Sequence, residues 1–260
     1  MEYSNLEMMA IAGARLLQNG EVVLVGTGLP LVSTLLAKHT HGPDMVVLME
    51  SGLYDSKPQA LPFCVADPRG SYRTPWIGTA VELMGQFLQN KKVDVGFLGG
   101  AQVDKYGSIN STAIGPYLRP DKRFEGSGGA CDIAVLALRT IIIMAHERKR
   151  FVEKVDYITS PGWSVKNYPD GRLISREEAG LWGGPDAVVS TFGVMKFDER
   201  TREMYVDTFY ADLGVTLADI KDNTGFDLDT SRARPALPPT GAELEVLRRT
   251  VDPEGIFMKY

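Results

Sequence analysis

Met45-Val-Val-Leu-Met-Glu50-Ser-Gly-Leu-Tyr-Asp55 is the stretch on which the fold turns. Its first five residues are apolar and lie between Gly42-Pro43-Asp44 and Ser51-Gly52. A short apolar run bounded by turn formers predicts a buried strand of an α/β sheet. That strand ends on a carboxylate. In open α/β sheets ligands collect beyond the carboxyl ends of strands, so Glu50 can be held by the backbone and still face a cleft. Read alone, it could equally cap a helix or pair with a surface arginine.

Working outward, the same punctuation repeats. Ser4-Asn-Leu-Glu7 is a capping box, and it opens a helix in which Leu6, Met9, Ala10, Gly13, Leu16 and Leu17 recur at helical spacing up to Asn19-Gly20. Residues 21–25 read as a strand, Gly26-Thr-Gly28-Leu-Pro30 as a turn, and 31–39 as a helix with Pro30 suited to its first turn. Residues 55–76 carry Pro58, Pro62, Pro68 and Pro75 and predict a long irregular segment. A helix over 80–88 and a strand over 94–98 follow, then a turn at 104–107 and an extended piece at 109–112. A short helix is expected over 131–136, and the β-branched run at 140–144 is a strand. Residues 188–197 and 204–209 flank Asp198-Glu-Arg-Thr-Arg202 as a hairpin. Late helices open at Thr216 and Thr240, the second with a full capping box. Strands alternating with helices predict an α/β fold with an open, mostly parallel sheet covered by helices on both faces.

Composition narrows the class. Of the 260 residues, 44% are apolar and 23% charged, which is ordinary for a soluble protein with its own core. A net charge of −5 argues against a nucleic-acid partner, which needs a basic face. Cys64 and Cys131 lie far apart, giving neither a disulfide framework nor a zinc site. No apolar run approaches the ~20 residues of a membrane span, and Met1-Glu-Tyr-Ser-Asn5 lacks the features of a signal peptide. A cytoplasmic protein is expected, with no membrane partner.

Two glycine-rich turns and one histidine motif could carry chemistry. Gly26-Thr-Gly28 lies between strand and helix, where backbone amides can meet an anion, but it is not GxGxxG, and a tight turn explains it as well. Gly126-Ser-Gly-Gly-Ala130 has glycine enough to let amides approach a ligand, or to serve as a flexible connector. His146-Glu-Arg-Lys-Arg150 begins like a zinc motif, but Arg150 stands where the second histidine is needed, so no metal site is expected. Arg148, Lys149 and Arg150 read as a solvated or interface patch. With His39, His41 and His146 the only histidines and no GxSxG, a serine-hydrolase triad has little support.

Glu50-Ser-Gly-Leu, Gly26-Thr-Gly28-Leu-Pro, Gly99-Gly-Ala-Gln-Val-Asp104, Asn110-Ser-Thr and Gly126-Ser-Gly-Gly-Ala130 together resemble the β subunit of family I CoA-transferases, in the glutaconate CoA-transferase variant. Ser160-Pro-Gly-Trp163 and Asn223-Thr-Gly-Phe-Asp227 continue the resemblance, which spans nearly the whole chain. It implies a single domain over 1–260 and an α-type partner subunit, in a hetero-oligomer of α2β2 form or higher. It implies coenzyme A as a co-substrate, with no tightly bound cofactor, and exchange of CoA between an acyl-CoA and a short carboxylic or dicarboxylic acid. The family's nucleophilic glutamate falls on Glu50. Gly28, Ser51, Gly99, Gly100, Gly128, Gly129 and Asn110 are then expected to hold the oxyanion or the substrate, with Arg69, Arg73 and Ser111 as further partners for a substrate carboxylate. Relatives lacking the glutamate act as decarboxylases or hydrolases, and a hydrolase or decarboxylase using Glu50 as a base is the alternative.

Overall fold

The computed structural model describes residues 2–167 and 169–258. The chain divides into two compact units, Met1–Phe97 with Leu237–Tyr260, and Leu98–Ala236.

In the first unit α1 (Asn5–Arg15) carries the expected capping box: the Ser4 hydroxyl accepts from the Glu7 amide at 3.2 Å and the Glu7 carboxylate accepts from the Ser4 amide at 2.8 Å. Met8 to Ala12 are buried. α1 packs on α2 (Leu29–His39), whose Pro30 lies in the first turn. Three short strands, β1 (Val22–Val25), β2 (Val46–Met49) and β5 (Val95–Leu98), are parallel, with β1 between the other two. Each is almost wholly buried, as continuous apolar runs of parallel strands should be. β3 (Leu53–Tyr54) and β4 (Trp76–Ile77) extend β2 antiparallel. β4 is a correction: the segment 55–76, read as irregular throughout, ends in a strand. The predicted helix over 80–88 is α3 (Ala80–Leu83) continued by a π-helical turn, Met84–Leu88. A C-terminal helix, Gly241–Val246, opens with the capping box of Thr240 and Glu243. Two ion pairs fasten it and the turn after it to α1: Arg15 to Glu243 at 2.8 Å and Arg248 to Glu7 at 2.6 Å.

The second unit begins with four very short strands, β6 (Gln102–Val103), β7 (Ile109–Asn110), β8 (Ala113–Ile114) and β9 (Lys122–Arg123), forming two small antiparallel pairs. α4 (Ala130–Leu136) leads into β10 (Arg139–Met144). β11 (Ser164–Lys166) and β12 (Leu173–Ser175) make a hairpin. β13 (Pro185–Ser190) runs parallel to β10, and β14 (Gly193–Phe197) and β15 (Met204–Phe209) continue as an antiparallel meander, with β16 (Arg234–Pro235) at the edge. The hairpin around Asp198 forms as expected, but the single run 188–197 is two strands. Ser190 makes the extra turn: its hydroxyl accepts from the amides of Phe192 at 3.2 Å and Gly193 at 3.3 Å. α5 (Leu217–Asp222) also carries a full capping box, from Thr216 and Asp219.

Arg176 is the largest of the fully buried side chains in this unit. Its guanidinium donates to the carbonyls of Gly183 and Pro161 at 3.0 Å, Gly162 at 3.2 Å, Ala134 at 2.8 Å, and Trp182. Burial lowers its pKa to about 10, so the group stays charged at neutral pH, balanced by carbonyl dipoles.

Candidate active site

Glu50 follows β2 directly, half-buried, at the head of a three-residue turn between paired Met49 and Leu53. The turn is fixed at several points. The Gly52 amide donates to the Met49 carbonyl at 2.9 Å, and the Gly78 amide donates to the Gly52 carbonyl at 2.9 Å. Gly52 has φ +99°, and a Cβ there would lie 2.1 Å from the Gly78 carbonyl oxygen. Only glycine fits. Below the turn, Asp55 closes the hairpin through its amide to the Val47 carbonyl, 2.7 Å. Lys38 of α2 donates to the Met45 carbonyl and to Asp55 Oδ1 at 2.5 Å, so one ammonium ties the helix to both ends of the hairpin. Among the described residues the Glu50 carboxylate makes no hydrogen bond or ion pair, and the neighbouring Ser51 hydroxyl is buried without a partner. A buried hydroxyl left unsatisfied is unusual.

The register Val25↔Met49 brings the end of β1 beside the end of β2, so Gly26-Thr27-Gly28 and Glu50-Ser51 leave the same side of the sheet, as the strand-end reading requires. Gly28, at φ +83° and ψ −152°, starts α2 with no side-chain cap. That backbone region is open essentially to glycine alone.

In the second unit Gly99 and Gly100 line a cleft of about 610 Å³ with Ala101, Gln102 and Ser111. Gly100 is required there, because a Cβ would stand 2.3 Å from Ile109 Cγ2. Asn110 is fully buried. Its Nδ2 donates to Gln102 Oε1 and to the Ala113 carbonyl, both at 2.7 Å, and its Oδ1 accepts from the Thr112 amide at 2.9 Å. Its amide therefore shapes the cleft wall. Ser111 clasps the start of the glycine loop in both directions: its hydroxyl donates to the Gly126 carbonyl at 2.9 Å, and its carbonyl accepts from the Gly126 amide at 3.1 Å. Gly128 has φ +48°, while Gly129 is in ordinary helical conformation as the cap of α4. Neither amide donates a hydrogen bond within the described residues.

The arginines expected to meet a substrate carboxylate are differently placed. Arg69 is held by Asp67 at 2.5 Å and stacks 4.1 Å over Phe63; Arg73 lies over Tyr72. Sequence reasoning misses the cations of the second unit's cleft. Lys122, Lys149 and Arg150 line it, the last two from the run that reads as a solvated patch. A basic run followed by buried Phe151 was the available signal. His146 is a core residue, 3% exposed. It stacks at 3.9 Å on Phe151 and bonds Ser190 and Thr224 at 3.0 Å each. Among the described residues no group of three or more His, Cys, Asp or Glu side chains is placed to hold a metal ion, and no helix is long and apolar enough to cross a membrane.

Residues 6–222 match the family model described as Coenzyme A transferase. The chain is 42% identical to the B subunit of glutaconate CoA-transferase from Acidaminococcus fermentans, covering 99% of this chain and 96% of that one. It is 38% identical to the B subunit of 3-oxoadipate CoA-transferase from Pseudomonas knackmussii, covering 95% and 92%. The crystal structure of glutaconate coenzyme A-transferase from Acidaminococcus fermentans superposes with a TM-score of 0.90 at 41% identity, over 100% of this chain and 98% of that one. The shared architecture is a large, mostly parallel sheet flanked by helices. Both sequence relatives are B subunits by name, which implies a partner subunit. The chain belongs to the coenzyme A transferase family, as a B-subunit member of the glutaconate CoA-transferase type.

Proposed function

We propose that the chain is the nucleophile-bearing half of a two-subunit enzyme that moves CoA between an acyl-CoA and a short carboxylic or dicarboxylic acid, through a thioester on Glu50. The observation that supports it is the Glu50 turn: an unengaged carboxylate at a strand end, on a loop held from three sides. A rigidly held nucleophile needs little reorganisation to attack.

The steps balance without water. A Glu50 carboxylate oxygen attacks the thioester carbonyl of the acyl-CoA, and the C–S bond breaks to give a mixed anhydride and CoA thiolate. The thiolate attacks the glutamyl carbonyl, releasing the first acid as its carboxylate and leaving CoA on Glu50. The carboxylate of the second acid attacks that thioester, the thiolate leaves, and it returns to the acyl carbonyl of the new anhydride. Free Glu50 and the new acyl-CoA result. Dividing the exchange conserves the thioester's energy. Each addition builds an oxyanion that backbone amides can stabilise. We assign this role to Gly128 and Gly129, whose amides are uncommitted, with Gly28, Gly99 and Gly100 giving the backbone close approach and the Ser51 hydroxyl left to substrate. Coenzyme A is a substrate here and not a resident group. The family match runs through both compact units, which supports reading 1–260 as one functional domain.

The test is covalent trapping in the enzyme assembled with its α-type partner. Acyl-CoA without acceptor acid should add one CoA to this chain, on the peptide containing Glu50, and borohydride should then inactivate the enzyme permanently. Glu50→Ala should lose the adduct and keep the assembly. Acyl-CoA consumption with no adduct at any time would favour Glu50 as a general base in a hydrolase or decarboxylase. An adduct on another residue would end the proposal.

A further inference from the structure

Another cavity, of about 310 Å³, lies in the first unit at the end of β2 remote from Glu50. α2 runs back along β2, so Gly28 sits at the Glu50 end and Lys38 at the Met45 end, where its ammonium donates to the Met45 carbonyl. Five residues of extended chain put the two ends about 16 Å apart. Lys38, His39 and Lys57 line the cavity with Ser56, and Leu35 and Pro58 give it an apolar side. No acidic side chain lines it among the described residues.

Ser56 is 4% exposed, yet neither its amide nor its hydroxyl makes a hydrogen bond among the described residues. Buried donors are nearly always paired, so two left over at one cavity-lining residue call for an acceptor from outside. The charges call for the same thing. Lys57 makes no ion pair among the described residues, and Lys38 gives two of its three protons to Met45 and Asp55, keeping one. Burial, and then the Lys38 charge beside it, hold the His39 imidazole below its usual range, so at neutral pH it adds an uncharged N–H donor.

We propose that this cavity binds a phosphate group, free or carried on a small organic molecule, at a site separate from the chemistry of Glu50. A carboxylate offers two oxygens. A phosphate offers at least three and a second negative charge, which match the two Ser56 donors and the Lys38 and Lys57 ammoniums. The apolar side from Leu35 and Pro58 leaves a wall for a short carbon body.

The experiment uses the assembled two-subunit enzyme with free CoA at saturation, which fills any site for the coenzyme's own phosphates. Calorimetric titration with inorganic phosphate, and with glycerol 3-phosphate as the esterified form, is run at constant ionic strength. The proteins are wild type, Ser56→Ala, Lys57→Gln and Lys92→Gln, the last an exposed lysine outside the cavity. Wild type should bind one phosphate per copy of this chain. Kd should rise about ten- to a hundred-fold in Lys57→Gln, which loses a charge-assisted contact, and about two- to tenfold in Ser56→Ala, which loses a neutral one. Lys92→Gln should bind like wild type. Whichever of the free ion and the ester binds more tightly names the source. The proposal is overturned by no saturable binding in wild type, by binding indifferent to Lys57→Gln and Ser56→Ala, or by an equal loss in Lys92→Gln. Binding that appears only when CoA is left out would also overturn it and give the site to the coenzyme.

Discussion

A methyl group at position 52 should cripple the chemistry at Glu50 while leaving the protein folded. Alanine at φ +99° costs about 1–3 kcal/mol. Its Cβ would also meet the Gly78 carbonyl oxygen at 2.1 Å and its carbon at 2.6 Å, backbone atoms that cannot rotate aside. A carbon–oxygen contact needs roughly 3.3 Å, so the two segments must part by about 1 Å. The hydrogen bond from the Gly78 amide to the Gly52 carbonyl is the first to give way, at about 0.5–1.5 kcal/mol. Strain and the lost bond together destabilise the turn by roughly 2–4 kcal/mol, and the steric overlap forces it to shift. Glu50 lies two residues away and moves with it, and a 1 Å misplacement of a reacting group costs about 10²-fold in rate. In the assembled enzyme, kcat and the rate of CoA-adduct formation should both fall by about that factor, with acyl-CoA affinity little changed. Gly52→Ala turning over within threefold of wild type would refute the claim that this turn sets the nucleophile's position.

The glycine loop separates two neighbours: Gly128→Val, forced into the left-handed region, should lower kcat by about 10², whereas Gly129→Ala, already helical, should stay near wild type in the same assay. His146 predicts acid sensitivity. Burial pushes its pKa down to about 3 from 6.5, so below pH 6.5 the unfolded chain takes a proton that the folded chain refuses. Its stabilisation is full above pH 6.5 and drains by about 1.4 kcal/mol per pH unit as pH falls towards 3. His146→Phe, which keeps the ring stack, should flatten that slope in urea unfolding measured from pH 7.5 to 5. Arg176→Met should destabilise by roughly 3 kcal/mol or more, because buried carbonyls lose their donor, and the denaturation midpoint reads it directly.

What the sequence disclosed was local. The strand before Glu50 is legible because a few apolar residues stand between turn formers, and the capping boxes at Ser4 and Thr240 because donor and acceptor lie three residues apart. What stayed hidden depends on distant partners. Gly52 and Gly78 are held together by a contact that no periodicity encodes, and two-residue strands such as β3 and β4 are too short to show alternation. The turn between β13 and β14 lacks Asn-Gly or Asp-Gly. It is made by the Ser190 hydroxyl, and its residues read as continuous strand. Arg176, in Leu173-Ile-Ser-Arg176-Glu, looks like a surface residue until five carbonyls converge on it. At the cleft Lys149 and Arg150 read as a solvated patch, because Arg150's orientation depends on Glu147 and on Gly100, fifty positions away.

The ion pairs from α1 to the C-terminal helix and the turn after it bear on the order in which the chain can be assembled. The first unit is written in two pieces, with the whole of the second unit between them. During synthesis residues 98–236 emerge complete and can fold while α1 still waits for Glu243 and Arg248. Until those residues leave the ribosome, buried Glu7 has no cation and Arg15 no carboxylate, and the hairpin bearing Glu50 belongs to an unfinished body. A released chain ending at residue 236 should therefore show protease protection across 98–236 and cleavage within 5–15. The nucleophile would be among the last parts of the protein to be set in place.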